Sequence, residues 1–492
     1  MEKHINKVIF LEGHTCPTKA WYYFHGHHQQ KPSSGDQHRM EEGRQICELA
    51  RQLYPEGSLV IQCDVNDAAK ETLKLLNNNE IKILFEATFI SASLITRADI
   101  LIKLANGWHL IEVRSCTNFD DKTDGSKEKY LDDMAYTTMV ISQSLAIEKI
   151  SILSLSKDFR LGMPIVTLFL MTDVTNVVKF KAKAFAQSQA SLVKQVVALN
   201  IPKSTWKYAC KDCEFFASDC LGKDIIDPIF EISRIGEKNC LNLFGQQCYQ
   251  IGHIPTDFKL TKSQTIIRNA VVDRKVFQSN DLSKRLLAMQ WPVYYLDFET
   301  VKTAYPLYPS VSPHEQVVTQ YSLHKLASFA SEPSHFEYLA DPTCDCRQAL
   351  TIKLINDLGT KGAIVVYSPF EKTILTGLKK LCPDFNIAID AIIDRLVDLQ
   401  AIIKDGYYDP RFHGSYSIKD VLPILVDGMN YDQLEVQNGE MAIAAFVQMA
   451  KNNLAPAQVQ VLRRQLLAYC CQDTLAMLML HRELSNIRKL SA

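Results

Sequence analysis

Between residues 41 and 53 apolar side chains recur at Ile46, Leu49, Ala50 and Leu53, a three-to-four spacing that places them on one face of a helix. Apolar runs of strand length follow at 58–62, 81–85, 100–104, 108–113 and 165–171. From about 223 to 290 the texture changes to short amphipathic helices broken by Gly236, Gly245, Gly252 and the Ile254-Pro255 step. After Trp291-Pro292 strand-like runs return at 293–296, 320–324, 335–339 and 363–367, alternating with helical stretches and ending in a long helix over 456–486. The pattern predicts an α/β multidomain chain: a mixed domain over 1–222, a helical connector over 223–290 and an α/β domain over 291–492. No longer repeat recurs, which excludes a solenoid.

Composition narrows this picture. The 492 residues hold 54 Lys+Arg against 55 Asp+Glu, with 47% hydrophobic and 22% charged, a globular balance that excludes a disordered or fibrous chain. No stretch approaches the ~20 apolar residues of a membrane helix. The opening MEKHINKVIFLEGHTCP lacks the apolar core of a signal peptide, so a cytoplasmic protein with no membrane contact is expected. Near-zero net charge leaves DNA or RNA open as a partner, because carboxylates that hold cations cancel basic residues in the sum.

The densest chemistry begins at Tyr294-Tyr295-Leu296-Asp297-Phe298-Glu299-Thr300. On a strand Asp297 and Glu299 face one side while Leu296 and Phe298 face the other, and a paired acidic face on an apolar strand calls for a cation. Tyr469 and Asp473 stand at i and i+4 on the final helix, neighbours on one face. Asp297-x-Glu299 followed by Tyr469-x3-Asp473 resembles the DEDD 3′-5′ exonucleases of the ribonuclease H-like superfamily, in the subgroup with a tyrosine in its last motif. Together with Val366-Tyr367-Ser368-Pro369-Phe370-Glu371-Lys372, Val397-Asp398-Leu399 and Gly414-Ser415-Tyr416-Ser417-Ile418-Lys419, the match extends to an uncharacterised bacterial domain family over roughly 291–485. That family's domain follows a RecB-like nuclease module. The resemblance implies a ribonuclease H-like domain that hydrolyses phosphodiesters with two metal ions, Mg2+ or Mn2+. Asp297 would bridge them, Glu299 and Asp473 would flank, and Tyr469 would orient the attacking water. The middle acid departs from the usual Asn-x3-Asp. Glu371 takes its place, with Asp398 in reserve as either ligand or helix cap.

Upstream, Arg97-Ala98-Asp99-Ile100-Leu101 and, beyond Gly107, Trp108-His109-Leu110-Ile111-Glu112-Val113-Arg114 form two strands with Asp99, Glu112 and Arg114 near one another. This resembles the PD-(D/E)XK core of RecB-like nucleases, which implies a restriction-endonuclease-like α/β domain with Asp99 and Glu112 as Mg2+ ligands. The family's lysine is Arg114 here, which cannot accept a proton but binds phosphate and stabilises charge. Tyr136 stands where the following helix usually bears glutamine, and Glu42 and Glu86 either line the site or belong to a surface helix and a strand end.

Fourteen cysteines in a reducing compartment point away from a disulfide framework. Cys210-x2-Cys213-x6-Cys220, with Cys16 of a Cys-Pro step far upstream, resembles the cysteine set of iron-sulfur RecB-like nucleases. That implies a [4Fe-4S] cluster stapling the domain, and Zn2+ on the same sulfurs is the alternative. The other cysteines, Cys470 and Cys471 included, read as packing, and His25, His27 and His28 as solvated loop residues. Two functions follow. One is a nuclease whose C-terminal domain trims 3′ ends while the N-terminal module binds or cuts. The other is a non-catalytic nucleic-acid adaptor with two degenerate sites and a structural metal cluster.

Overall fold

The computed structural model describes residues 3–27, 32–121, 125–203, 205–451 and 453–486. The fold is mixed α/β, and it divides into two compact units, Met1–Thr205 with Lys302–Glu315, and Trp206–Val301 with Gln316–Ala492. Residues 206–222 and the expected connector 223–290 both fall in the second unit.

The first unit begins with α1 (Lys7–Thr15), α2 (Pro17–His25) and α3 (Ser34–Arg51). Helix α3 starts well before its apolar stripe because Ser33 and Asp36 close a capping box, Ser33 Oγ accepting from Asp36 N at 3.1 Å and Asp36 Oδ2 accepting from Ser33 N at 3.0 Å. Strand β1 (Ser58–Leu59) and α4 (Val65–Leu76) lead into β2 (Ile83–Ser91), β3 (Leu94–Lys103) and β4 (Trp108–Thr117). Helix α5 (Ser126–Ile141), β5 (Ile147–Leu155), β6 (Phe169–Asp173) and α6 (Thr175–Val196) complete it. The six strands form one sheet in chain order, with β1 and β2 parallel, β4 and β5 parallel, and the other pairs antiparallel. One face packs on α1, α5 and α6 through Leu84, Leu101, Leu110, Met134 and Val178; the other packs on α3 through Ile46, Ile100, Ile111 and Leu153.

Strand β5 lies outside the apolar runs read from the sequence. The run at 165–171 is split, because Pro164 leads a 3-10 turn over Ile165–Leu168 before β6 starts. Residues 302–315 join this unit through Ala304 in its core, the contact of Tyr305 with Phe159 at 6.0 Å and the bond between His314 Nε2 and the Ser115 carbonyl.

The second unit opens with α7 (Glu237–Gly245), α8 (Lys262–Asp273), β7 (Phe277–Gln278) and α9 (Leu282–Leu287). Its main sheet is built from β8 (Val293–Val301), β9 (Val317–Leu326), β10 (Ser334–Leu339), β11 (Ile364–Val366) and β12 (Leu396–Asp398). Helices α10 (Arg347–Leu358), α11 (Phe370–Leu381) and α12 (Asn386–Ile393) lie between its strands in sequence. Then come α13 (Leu399–Gly406), β13 (Tyr407–Tyr408), α14 (Ile418–Leu425), α15 (Gly439–Ala450) and α16 (Pro456–Asn486).

The sheet order is β10-β9-β8-β11-β12, so β8 is central, flanked by antiparallel β9 and parallel β11. Alternation then decides what each β8 side chain meets. Tyr294, Leu296 and Phe298 enter the core with Leu354, Leu375 and Ile392, while Tyr295, Asp297 and Glu299 face α16. Gly362 sits at φ +91° where a Cβ would lie 1.9 Å from Pro292 O, so only glycine lets β11 lie against β8 here.

Candidate metal centres

In the second unit, ligand oxygens of Asp297, Glu299 and Asp473 lie within 4.8 Å of one another. Strand β8 supplies two of them on one face, and α16 supplies the third one turn after Tyr469. Among the described residues Lys419, at the start of α14, is the cation that acts on Glu299 and Asp473, and the carboxyls respond. Burial, with Asp473, Glu299 and Glu371 nearby, pushes Asp297 well above the usual carboxylate range. Burial and Asp473 push Glu299 to about 8, with Lys419 pulling it down, and burial pushes Asp473 to about 6 against the hydrogen bond from Tyr431 and the charge of Lys419. A wholly oxygen donor set of this kind fits Mg2+ or Mn2+, and the mutual repulsion of the acids is what a divalent cation relieves.

Tyr469 is buried beside the acids, and burial together with Asp473 and Glu299 raises its phenol. Lys419 Nζ donates to the Tyr469 hydroxyl at 3.2 Å and to the Gln437 carbonyl, and it lies over the rings of Tyr431 and Tyr469 at 5.2 and 5.1 Å. Tyr431 OH donates to Asp473 Oδ1 at 2.6 Å. Neither Lys419, at the end of the Gly414–Lys419 segment, nor Tyr431 was expected at this site from the sequence.

Glu371 is buried at the start of α11 and falls outside the 4.8 Å set. It senses the site nonetheless: burial first, then Asp398 and Asp473, push its carboxyl to about 7. Asp398 is the N-cap of α13, its Oδ1 accepting from Ala401 N at 2.9 Å, the helix-cap alternative of the sequence reading.

In the first unit, the pairings Phe85 with Ile100, Ala87 with Ala98 and Ile100 with Ile111 bring Glu86, Asp99 and Glu112 into one row across β2, β3 and β4. Glu86 breaks the ladder, at φ +56°. Cys47 of α3 completes a second group with Glu86 and Asp99. Asp99 Oδ2 accepts from Val113 N at 2.7 Å.

Arg114 fills the centre. Its guanidinium reaches Glu112 Oε2 at 3.0 Å, Asp133 Oδ2 at 3.4 Å and Asp99 Oδ2 at 3.5 Å, and lies 6.0 Å over the Tyr130 ring. Burial opposes the guanidinium charge, but the three carboxylates outweigh it and raise its pKa. Glu112 is wholly buried, its Oε1 has no hydrogen-bond partner among the described residues, and burial and Asp99 push it to about 7 against the pull of Arg114. The cation that balances this site is therefore part of the chain.

Tyr136 does not line this site. Its hydroxyl donates to the Ile5 and Ile95 carbonyls at 2.8 and 3.0 Å, deep in the core, and the α5 face that reaches Arg114 bears Asp133 and Tyr130 instead. Tyr136 stands three positions after Asp133, close to one helical turn further along α5. Lys7 joins the cluster through Asp133 at 3.2 Å. Glu42 accepts from Ala304 N at 2.8 Å.

Cys16 lies between α1 and α2 in the first unit; Cys210, Cys213 and Cys220 lie in the second. Cys210 Sγ accepts from Lys207 N at 3.3 Å and Cys213 N donates to Cys210 O at 3.2 Å, so both cysteines belong to one tight turn. Trp206 beside them packs against Phe216, Phe230, Phe244 and Tyr249 at 4.7 to 6.2 Å. His25 and His27 stack on Trp21 at 4.2 and 5.2 Å, and His28 lies outside the described residues.

Residues 294–417 match a family described as a domain of unknown function, DUF2779. The matched stretch holds Asp297, Glu299, Glu371 and Asp398, and ends before Lys419, Tyr469 and Asp473. Neither the curated proteins nor the solved structures give a match to the chain. Among the described residues no helix is long and apolar enough to cross a membrane.

Proposed function

We propose that the chain is a divalent-metal-dependent nuclease that hydrolyses phosphodiester bonds of DNA or RNA at the Asp297, Glu299 and Asp473 centre. The observation that carries this reading is the convergence of three carboxylates within 4.8 Å, Asp473 buried and Asp297 and Glu299 half-buried, one face of a central strand meeting one turn of a helix. Asp297, Glu299 and Asp473 would hold Mg2+ or Mn2+, with Glu371, whose charge acts on Asp297, as the fourth acid of the site. Bound there, the cations would supply Lewis-acid activation of water and neutralise charge on the phosphate.

The chain's own groups set the rest. Tyr469 presents its hydroxyl beside the acids to orient a water, and Lys419 holds that hydroxyl while keeping positive charge next to Glu299 and Asp473. Tyr431 fixes Asp473 through its 2.6 Å bond. A 3′-5′ exonuclease direction follows from the DEDD resemblance alone.

The N-terminal unit, in this reading a RecB-like PD-(D/E)XK module, grips nucleic acid. The internal balance of Arg114 against Glu112, Asp99 and Asp133 supports binding over cutting. A [4Fe-4S] cluster, or Zn2+ in its place, on Cys16, Cys210, Cys213 and Cys220 belongs to the same proposal, since four thiols suit either.

The test is cleavage of end-labelled single- and double-stranded DNA and RNA with Mg2+ or Mn2+ by wild type, Asp297→Asn and Glu112→Gln. Loss in Asp297→Asn with retention in Glu112→Gln supports this assignment. The opposite pattern moves the chemistry to the first unit, and binding without cleavage of any polymer supports the adaptor reading.

A further inference from the structure

A second constellation lies on the same face of the same sheet, one step along from Asp297. Strand pairing sets Tyr295 opposite His324 and His324 opposite His335, a row across β8, β9 and β10 under α16. Cys471 of α16 comes down on it. One ring nitrogen from each histidine and the Cys471 sulfur lie within 4.8 Å of one another, and the two imidazoles pack at 4.5 Å between centroids. In the sequence Cys471 looked like packing, because its partners lie some 140 residues upstream, on two other strands.

The groups around the rings orient them. His324 Nδ1 is held by Thr474 Oγ1 at 2.8 Å, and His335 Nε2 by Ser322 Oγ at 2.9 Å, while Thr474 and Ser322 bond each other at 2.7 Å. One nitrogen of each ring is thereby engaged, and among the described residues Nε2 of His324 and Nδ1 of His335 make no hydrogen bond. Outer hydrogen bonds of this kind set the tautomer and direction of histidine ligands in metal sites. Glu337 Oε2 stands 4.0 Å from His335 Nδ1 as an oxygen donor at the rim. His335 is partly exposed, which gives an ion a way in.

We infer that His324, His335 and Cys471 form a binding site for a thiophilic divalent cation of the Zn2+ class, with Glu337 or water completing a four-coordinate shell. Two nitrogens and a sulfur select against Mg2+ and Mn2+, the ions suited to the neighbouring oxygen site. On binding, the Cys471 thiol proton leaves to solvent as the metal-sulfur bond forms, with no change of oxidation state. The site does not depend on the nuclease reading. Its consequence does: Cys471 lies between Tyr469 and Asp473, so an ion tying it to β9 and β10 fixes the rotation of α16 that presents those two residues to β8.

The test is metal content and Co2+ absorption of the full chain, with wild type, Cys471→Ser, His335→Ala and Cys213→Ser compared after chelation and reloading with Zn2+ or Co2+. Cys471→Ser and His335→Ala are expected each to lose one metal equivalent, and the Cys471 variant to lose a share of the thiolate-to-Co2+ band, while Cys213→Ser keeps that equivalent. His335 lies on an edge strand, so its variant keeps the test valid if Cys471→Ser fails to fold. Equal metal content in wild type, Cys471→Ser and His335→Ala overturns the inference. Failure of cleavage with this equivalent still bound overturns only the nuclease reading.

Discussion

Lys419 Nζ stands 3.2 Å from the Tyr469 hydroxyl and over the faces of both Tyr469 and Tyr431, so the cation nearest the acidic centre is attached to the phenol that closes it. It lowers the carboxyls of Glu299 and Asp473 while orienting Tyr469. Replacing it by methionine should therefore act in two directions. Turnover should fall ~10- to 100-fold as Tyr469 loses its anchor, a typical cost for losing an outer partner that orients a group at a metal site. Mn2+ binding, followed by calorimetry, should tighten because a competing positive charge is gone. Unchanged turnover would separate Lys419 from the work of Tyr469.

The metal-free centre should make stability fall with rising pH. Glu299, Asp473 and Glu371, pushed to about 8, 6 and 7, keep protons in the folded chain that the unfolded chain has already released. Their contribution is full below the ordinary carboxyl range and is lost as pH rises through about 6 to 8. Thermal melts in chelator should drop by several degrees between about pH 5 and pH 8.5. Excess Mg2+ should flatten that dependence, since the cation takes the place of the protons. Asp297→Asn should melt higher than wild type in chelator, with one acid fewer in the cluster. A chelated wild type whose melting point is flat over this range would show that the acids are not protonated together.

Arg114 should be a structural cation of the first unit. Arg114→Met leaves the buried Glu112 and the half-buried Asp99 without their counter-charge, at a cost of about 3 kcal/mol in denaturant unfolding. Mg2+ or Mn2+ should recover part of that loss in the variant while leaving this unit unchanged in wild type. No rescue would mean that Asp99 and Glu112 hold no cation even when the place is open.

Gly362→Ala should destabilise the second unit by about 3 kcal/mol or more, because the φ of +91° is strained for alanine and its Cβ meets the Pro292 carbonyl. Denaturant unfolding monitored alongside circular dichroism reads this. A neutral effect would mean that β11 can move away from β8.

The acids on β8 and α16 were legible because strand and helix periodicities each state which side chains share a face. Asp297 with Glu299, and Tyr469 with Asp473, are two such local statements, and packing α16 on β8 joins them. Relationships between distant elements were not legible. Lys419 reaches Tyr469 from α14, Tyr431 reaches Asp473 from a loop, and Asp133 takes the α5 face that Tyr136 was expected to hold. Elements were missed where local signals compete: β5 is a buried strand with no clear alternation, and Pro164 turned the start of an apolar run into a 3-10 turn. The extent of residues 302–315, which leave the β8 to β9 connection for the other unit, has no local signature at all.

The most direct measurement is single-turnover cleavage of a 5′-labelled single-stranded oligonucleotide by the full chain across a Mn2+ titration, beside Asp297→Asn. Wild type should shorten the strand progressively from its 3′ end with saturable Mn2+ dependence, and Asp297→Asn should be slower by ~10³-fold or more at every concentration. Cleavage that persists undiminished in Asp297→Asn, or wild type that binds Mn2+ at this centre and cuts no DNA or RNA, would contradict it.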